Sequence, residues 1–186
     1  MLRKKSTHTL AAAPRWCTSV APQWETSQPC GLEPERLVGL GFRYWMHGTC
    51  GGDIASSTQA WQLYSGVFGV IGGTIALDAL SAWAGALQAT SQRGIEVAPR
   101  ACPAFCRDEC MAISMIAACQ HQTCPAMRAC AFALVDHGLI DSVVASARDF
   151  ADALASLDHV LSPQSIMPAL GQECMGTQMR TQHAMH

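Results

Sequence analysis

Apolar side chains recur at helical spacing through residues 139–161, LIDSVVASARDFADALASLDHVL, and this period constrains the fold more than any other feature. They form one stripe of Ile140, Val143, Val144, Ala147, Phe150, Ala151, Leu154, Leu157 and Leu161. Most charged residues of the stretch fall on the other side, as in a helix that buries one face. The sequence shows no alternating pattern typical of a β-strand. We therefore predict an all-α protein, with about five helices in a compact orthogonal or bundle-like array.

Two further helices are predicted ahead of this one. Pro34 suits the first turn of a helix that Gly48 would end. Asp53 suits the amino-terminal cap of a long helix over residues 54–91. Its glycines lower helix propensity but leave one face small, so a neighbouring helix could pack closely against it.

The composition favours one globular domain with loose ends. Of the 186 residues, 49% are hydrophobic and only 14% are charged, which argues against disorder for most of the chain. The proline-rich, aperiodic residues 1–32 predict a flexible arm, and the Met-, Gln- and His-rich residues 162–186 predict a loose tail. We assign the single all-α domain to residues 33–161.

Six of the ten cysteines fall between residues 102 and 130. Helices are predicted over residues 103–119 and 125–137, and the tripeptide Cys-Pro-Ala marks the start of each, at 102–104 and at 124–126. Together the two helices would form a cysteine-rich helical hairpin. Cysteines four apart on the first helix, Cys106 and Cys110, would share its inward face. Such inward cysteines resemble those of copper-storing helical bundles, although similar pairs do not recur on the other helices.

The hairpin offers two clusters of metal-ligand side chains. These are Cys102, Cys106, Cys110 and His137 at one end, and Cys119, Cys124 and His121 around the turn. Cys102 and Cys110 would lie about 12 Å apart along a helix, too far for one tetrahedral zinc ion. The spacing suits soft sites better, with Cys106 and Cys110 as first ligands. The hypothesis is a thiolate-rich site for copper, zinc or an iron–sulfur cluster, used in metal handling, sensing or electron transfer.

An alternative assigns no metal to these cysteines. Reduced cysteine behaves as a small hydrophobic residue and is among the most buried residue types. The protein would then have no cofactor and would be a helical interaction module that binds a second copy or another protein through helix 54–91, around Gly66, Gly69 and Gly73. In that case the cysteines fill the core.

A thiol nucleophile is a third hypothesis. Cys50 precedes the predicted long helix, and His47 lies three residues before it. A helix amino terminus and a nearby imidazole both activate thiols. A glycine-rich capping loop with an incidental histidine and cysteine explains the same residues, so the sequence leans away from an enzyme.

Charge and hydropathy bear on partners and location. A net charge of −2 and scattered arginines argue against nucleic-acid binding. The most apolar stretch, residues 61–87, is interrupted by Asp78, so no membrane span is expected. Residues 1–32 lack the apolar core of a signal peptide, so we expect a cytoplasmic protein with reduced cysteines.

Overall fold

A computed structural model describes residues 33–135 and 140–167. Within the first range, residues 50 and 51 are described by their backbone alone. The described residues form five helices and no strand, which confirms the predicted fold class. The elements are α1 (Pro34–Gly51), α2 (Ile54–Thr90), α3 (Arg107–Gln120), α4 (Cys124–Val135), α5 (Ile140–Ser156) and a 3₁₀ turn (Pro163–Ser165). The predicted arm, residues 1–32, lies outside the described residues, as does the tail beyond Met167.

Helix α3 is the centre of the array. It packs against α4, α5 and α1, while α2 packs against α1 and α5. Every residue from Met111 to Ala118 is buried, so α3 has no solvent-facing side over these two turns. A helix buried all round carries no apolar stripe, which explains why its boundaries are hard to read from the sequence.

Helix α1 runs past the predicted stop at Gly48, and that prediction is wrong. The helix ends at Gly51, and its cap Gly52 has a φ of 62°, the left-handed conformation that glycine adopts readily. Gly48 lies inside α1, where a Cβ would meet Ser57 of α2. Gly41 likewise faces the ring of Tyr64 on α2. Glycines of α1 therefore bring these two helices close, a role that the sequence predicted for the glycines of α2.

Helix α2 begins as predicted and then bends. The Asp53 carboxylate accepts hydrogen bonds from Ala55 N at 3.1 Å and from Ser56 Oγ at 2.8 Å, which confirms it as the cap. Gly69 has φ 71° and ψ −179°, outside the helical region, and this residue kinks the helix. The kink divides α2 into two arms that both contact α1: Tyr64 on the first donates to Leu37 O at 3.4 Å, and the ring of Trp83 on the second lies 5.4 Å from that of Phe42.

Helix α5 ends at Ser156, earlier than the predicted stripe. The chain then turns through Asp158 at φ 59°, and Leu161 is buried beyond the helix. Glu35, itself buried, accepts hydrogen bonds from Ser162 N at 2.7 Å and from Ser165 Oγ at 2.8 Å. The chain therefore stays in contact with α1 through the 3₁₀ turn.

Candidate functional site

The cysteine-rich segment begins with an irregular loop, because α3 starts at Arg107 and not at residue 103. Cys102 is therefore not a helix cap; its backbone N–H closes a turn by donating to Pro99 O at 2.8 Å. Cys106 is the residue that caps α3, with extended backbone at ψ 175°. The predicted row of three cysteines along one helix is accordingly divided between a loop, a cap and the first turn.

Cys106 is used by the fold itself. Its thiol donates to Glu96 O at 3.2 Å, and its backbone N–H donates to Glu109 Oε2 at 2.7 Å, in a capping box. Burial, reinforced by the negative charge of Glu109, raises the pKa of the Cys106 thiol to about 12. At neutral pH this residue is a protonated, hydrogen-bonded thiol and not a thiolate.

A buried ion pair holds this loop in place. Arg43 and Glu109 are both fully buried and make two contacts, Nε to Oε1 at 2.6 Å and Nη2 to Oε2 at 3.0 Å. Arg43 also donates to Cys102 O at 2.6 Å and to Ala104 O at 2.8 Å, and Ala98 N donates to Glu109 at 3.2 Å. Burial alone would lower the pKa of Arg43, but the hydrogen bond and charge of Glu109 outweigh it and raise that pKa.

Two polar residues of α3 are buried and hydrogen-bonded. Asp108 is 4% exposed, and Arg93 donates to its two carboxylate oxygens, each at 2.8 Å. Glu96 N donates to the same carboxylate at 2.9 Å. Ser114 is fully buried, and its hydroxyl accepts from Cys130 Sγ at 3.4 Å. Arg93, from the segment before α3, and Cys130, on the facing helix α4, supply partners for these buried groups.

The turn between α3 and α4 places three sulfur-containing residues around one cavity. Cys119, Cys124 and Met127 line one open cavity of about 420 Å³. Its other lining residues are Gln120, Gln122, Arg148 and Asp152. His121, predicted as a ligand of this cluster, does not line the cavity, because its Nε2 lies 2.8 Å from Leu161 O, where only a ring N–H can donate.

The predicted metal site is only partly within the described residues. Cys106 and Cys110 are one turn apart, since Cys110 N donates to Cys106 O at 2.9 Å. His137, the expected fourth member of their cluster, lies in residues 136–139, outside the described part. Within residues 33–135 and 140–167, no three His, Cys, Asp or Glu side chains are grouped to hold a metal ion. The metal site therefore stays a prediction.

The thiol-nucleophile hypothesis loses the local structure on which it relied. Cys50 lies in the last turn of α1, and not in a loop at the amino terminus of α2. The ring of His47 has its Nε2 2.9 Å from Ala98 O, so it contacts the loop that precedes α3. By its backbone Cys50 belongs to the carboxyl-terminal end of α1, and the thiol-nucleophile hypothesis stays a prediction.

The kinked part of α2 exposes an apolar surface, which we call the α2 face and define as Val67, Val70, Ile71 and Ile75. Their side chains are 37%, 70%, 80% and 48% exposed, respectively. Space is open beside Gly66 and Gly69, where a Cβ would meet no atom within 4 Å. No charged residue occurs between positions 54 and 77.

Among the helices of the described residues, α2 alone is long and apolar enough by itself to cross a membrane. Its most apolar window has a mean hydropathy of 1.5, and 33% of that window is buried inside the domain. Core helices of soluble proteins meet the same criteria, so this is weak evidence for a span. No protein-family model, curated protein or solved structure matches the chain.

Proposed function

We propose that this protein is a helical interaction module that forms a homodimer through the α2 face, and that the cysteines at the start of α3 serve the fold. One observation carries the proposal: four exposed aliphatic side chains flank the kink of α2, in a stretch that has no charge between positions 54 and 77. Contiguous exposed apolar surface of this kind marks a site of contact with another molecule.

The chemistry of the α2 face favours a second copy as its partner. An uncharged apolar surface needs an uncharged apolar partner, since burying an unpaired charge against it would be costly. A second copy supplies that surface, because a two-fold dimer pairs a patch with itself. The open space beside Gly66 and Gly69 would let the two helices approach closely.

The size of the surface sets the expected affinity. Stable protein interfaces bury about 1,200–2,000 Å² in total. The four exposed side chains of the α2 face, with the open space beside Gly66 and Gly69, form a small surface that suits an interface at the lower end of that range. We therefore expect a dissociation constant in the micromolar range, and a mixture of monomer and dimer in solution.

Burial of the opposite side of α2 supports this assignment over a membrane span. Tyr64, Leu80 and Trp83 are fully buried, and α2 packs on both α1 and α5. Crossing a membrane would strip these contacts and expose the faces of α1 and α5 that α2 covers. A dimer uses only the exposed side and leaves the core intact.

The described cysteines at the start of α3 and in α4 support a structural role. Cys106 caps α3, and Cys130 is 3% exposed and donates to Ser114. Burial raises the pKa of Cys130 as well, so both thiols are protonated at neutral pH. On this proposal, Cys130→Ala lowers stability but leaves the monomer–dimer equilibrium unchanged.

Sedimentation velocity over about a hundredfold range of protein concentration tests the dimer. Ile71→Glu should give a monomer throughout, with an unchanged circular dichroism spectrum, because Ile71 is 80% exposed. Phe132→Glu is the matched control: it introduces the same charge at an exposed apolar residue of α4, 55% exposed, and should leave the dimer intact.

Two results would overturn the proposal. One is a wild-type monomer at every concentration. The other is sedimentation of that monomer with phosphatidylcholine vesicles, lost in Ile71→Glu, which would make the α2 face a lipid-binding surface.

A further inference from the structure

The cavity at the α3–α4 turn is built by a tight reversal of the chain. Gln122 adopts φ 54°, its N–H donates to Cys119 O at 3.1 Å, and Thr123 N donates to Ala118 O at 2.8 Å. The reversal places Cys119, in the last turn of α3, and Cys124, the first residue of α4, on the same cavity. Met127 follows Cys124 by three residues and therefore lies on the same side of α4.

Helix α5 supplies the charged wall of the cavity. Arg148 and Asp152 are one turn apart on α5, and both line it. Arg148 Nη2 lies 4.0 Å from Cys124 Sγ, so a positive charge sits beside the thiol. Burial raises the pKa of Cys119 to about 12, whereas the charge of Arg148 acts in the opposite direction. Cys119 is thus a thiol at neutral pH that a strongly thiophilic ion could still deprotonate.

We infer that this cavity binds a cuprous ion through the sulfur atoms of Cys119, Cys124 and Met127. Thiolate and thioether ligands are soft donors and select copper in its +1 state. A structural zinc ion would instead take four ligands in a tetrahedron. The described residues group no three His, Cys, Asp or Glu side chains for that purpose, whereas a cuprous ion can be held by sulfur ligands in lower number.

The charges of the site balance around such an ion. Binding of one Cu⁺ to two thiols releases one proton from each and leaves two thiolates and the ion with one net negative charge. Arg148 offsets this charge, and Met127 adds a neutral donor. Because protons are released, copper affinity should rise with pH between neutrality and mildly alkaline conditions.

The position of the ion would also fix the turn. It would link the end of α3 to the start of α4, with Arg148 of α5 beside it. This site is separate from the α2 face, so copper binding and dimerisation can succeed or fail independently. It also differs from the predicted turn cluster in one ligand, since Met127 takes the place expected for His121.

The test uses the full-length protein, reduced and kept without oxygen, titrated with cuprous ion against a coloured chelator. Cys119→Ser with Cys124→Ser should bind one copper fewer per chain than wild type. Cys102→Ser with Cys110→Ser is the matched control, with the same number of thiols removed, and should lose none at this affinity. Met127→Leu keeps the size of the side chain and should weaken binding about tenfold.

The outcomes separate this site from the other cysteines of the chain. Retention of all tight copper by the Cys119/Cys124 variant would overturn the inference, as would an equal loss in the control pair. If the double serine variant fails to fold, as judged by circular dichroism, Met127→Leu and Arg148→Gln decide instead. Unchanged copper affinity in both would also overturn it.

Discussion

Arg43 of α1 and Glu109 of α3 form a fully buried ion pair, with Nε and Oε1 2.6 Å apart, between residues 66 positions apart in the chain. Glu109 also holds the backbone of Cys106 and Ala98, and Arg43 holds two carbonyls of the loop between them. The pair therefore joins α1, the loop before α3 and the first turn of α3. It is the polar centre on which the cysteine-rich segment depends.

Removing one charge of this pair should be far more damaging than removing one from a surface pair. Glu109→Gln keeps the size and the capping capacity of the side chain but leaves Arg43 as an uncompensated buried charge, which costs about 3–5 kcal/mol. Asp141→Asn is the control, since Arg128 and Asp141 lie 3.0 Å apart with their side chains 56% and 82% exposed. It should cost less than about 1 kcal/mol.

Urea unfolding followed by circular dichroism measures both losses. A similar, small loss in the two variants would show that the buried pair does not hold the loop. Arg43→Met combined with Glu109→Met should be less damaging than the sum of the two single changes, because no unpaired charge is left.

Local periodicity was enough to predict α5 and the cap of α2. The stripe from Val143 to Leu154 is buried as expected, because an amphipathic helix needs only one covered face. Asp53 caps α2 through hydrogen bonds from Ala55 and Ser56, which depend on local sequence alone. Features of this kind lie within a few residues of one another and can be read from the sequence.

The start of α3 could not be read in the same way. Pro103 suggested a first helical turn, but residues 102–105 are held outside the helix by Arg43, whose position relative to them depends on the fold. The cavity at the α3–α4 turn has the same origin. Cys124 and Met127 have helical spacing in the sequence, whereas Arg148 reaches them only because α5 packs on α3 and α4.

The close contact of α1 with α2 predicts opposite effects of alanine at two glycines. A Cβ at Gly41 would lie 2.6 Å from the Tyr64 ring, which is fully buried and cannot move away. Overpacking of this kind costs about 1–3 kcal/mol, against a gain of up to about 1 kcal/mol in helix propensity. At Gly85 the Cβ would lie 3.9 Å from Trp45, an ordinary contact.

We therefore expect Gly41→Ala to lower the midpoint of thermal unfolding and Gly85→Ala to raise it or leave it unchanged. Differential scanning calorimetry of the two variants provides the comparison. Equal stabilisation by both alanines would mean that α1 and α2 are not in close contact at Gly41.

The kink of α2 predicts a similar contrast at its own glycines. Gly69 has a φ of 71°, which an alanine side chain adopts only at a cost of about 1–3 kcal/mol. Gly66 has no positive φ, and space beside it is open, so alanine there should stabilise the helix by up to about 1 kcal/mol. Chemical unfolding tests this at a protein concentration below the expected dissociation constant of the dimer. Stabilisation by Gly69→Ala would mean that the helix runs straight through position 69.

The pKa of Cys106 predicts a loss of stability at alkaline pH. In the folded protein its pKa is about 12, raised from an ordinary value of 9.0 by burial and by the charge of Glu109. Below pH 9 both the folded and the unfolded chain keep the proton, so this thiol adds no pH dependence. Between about pH 9 and 12 only the unfolded chain releases it, so the free energy of unfolding falls as pH rises. Burial raises the pKa of Cys119 and Cys130 as well, so they add to the same slope.

Cys106→Ser isolates the contribution of this residue, since serine also caps a helix but does not titrate in this range. The free energy of unfolding in urea, measured at pH 8 and again near pH 10.5, should fall less for the serine variant than for wild type. At pH 8 the two proteins should differ little in the helix content of the folded state. If the two proteins lost the same stability over this interval, Cys106 would have to ionise in the folded state as easily as in the unfolded one. Its thiol would then lie in contact with water and not against Glu96 O.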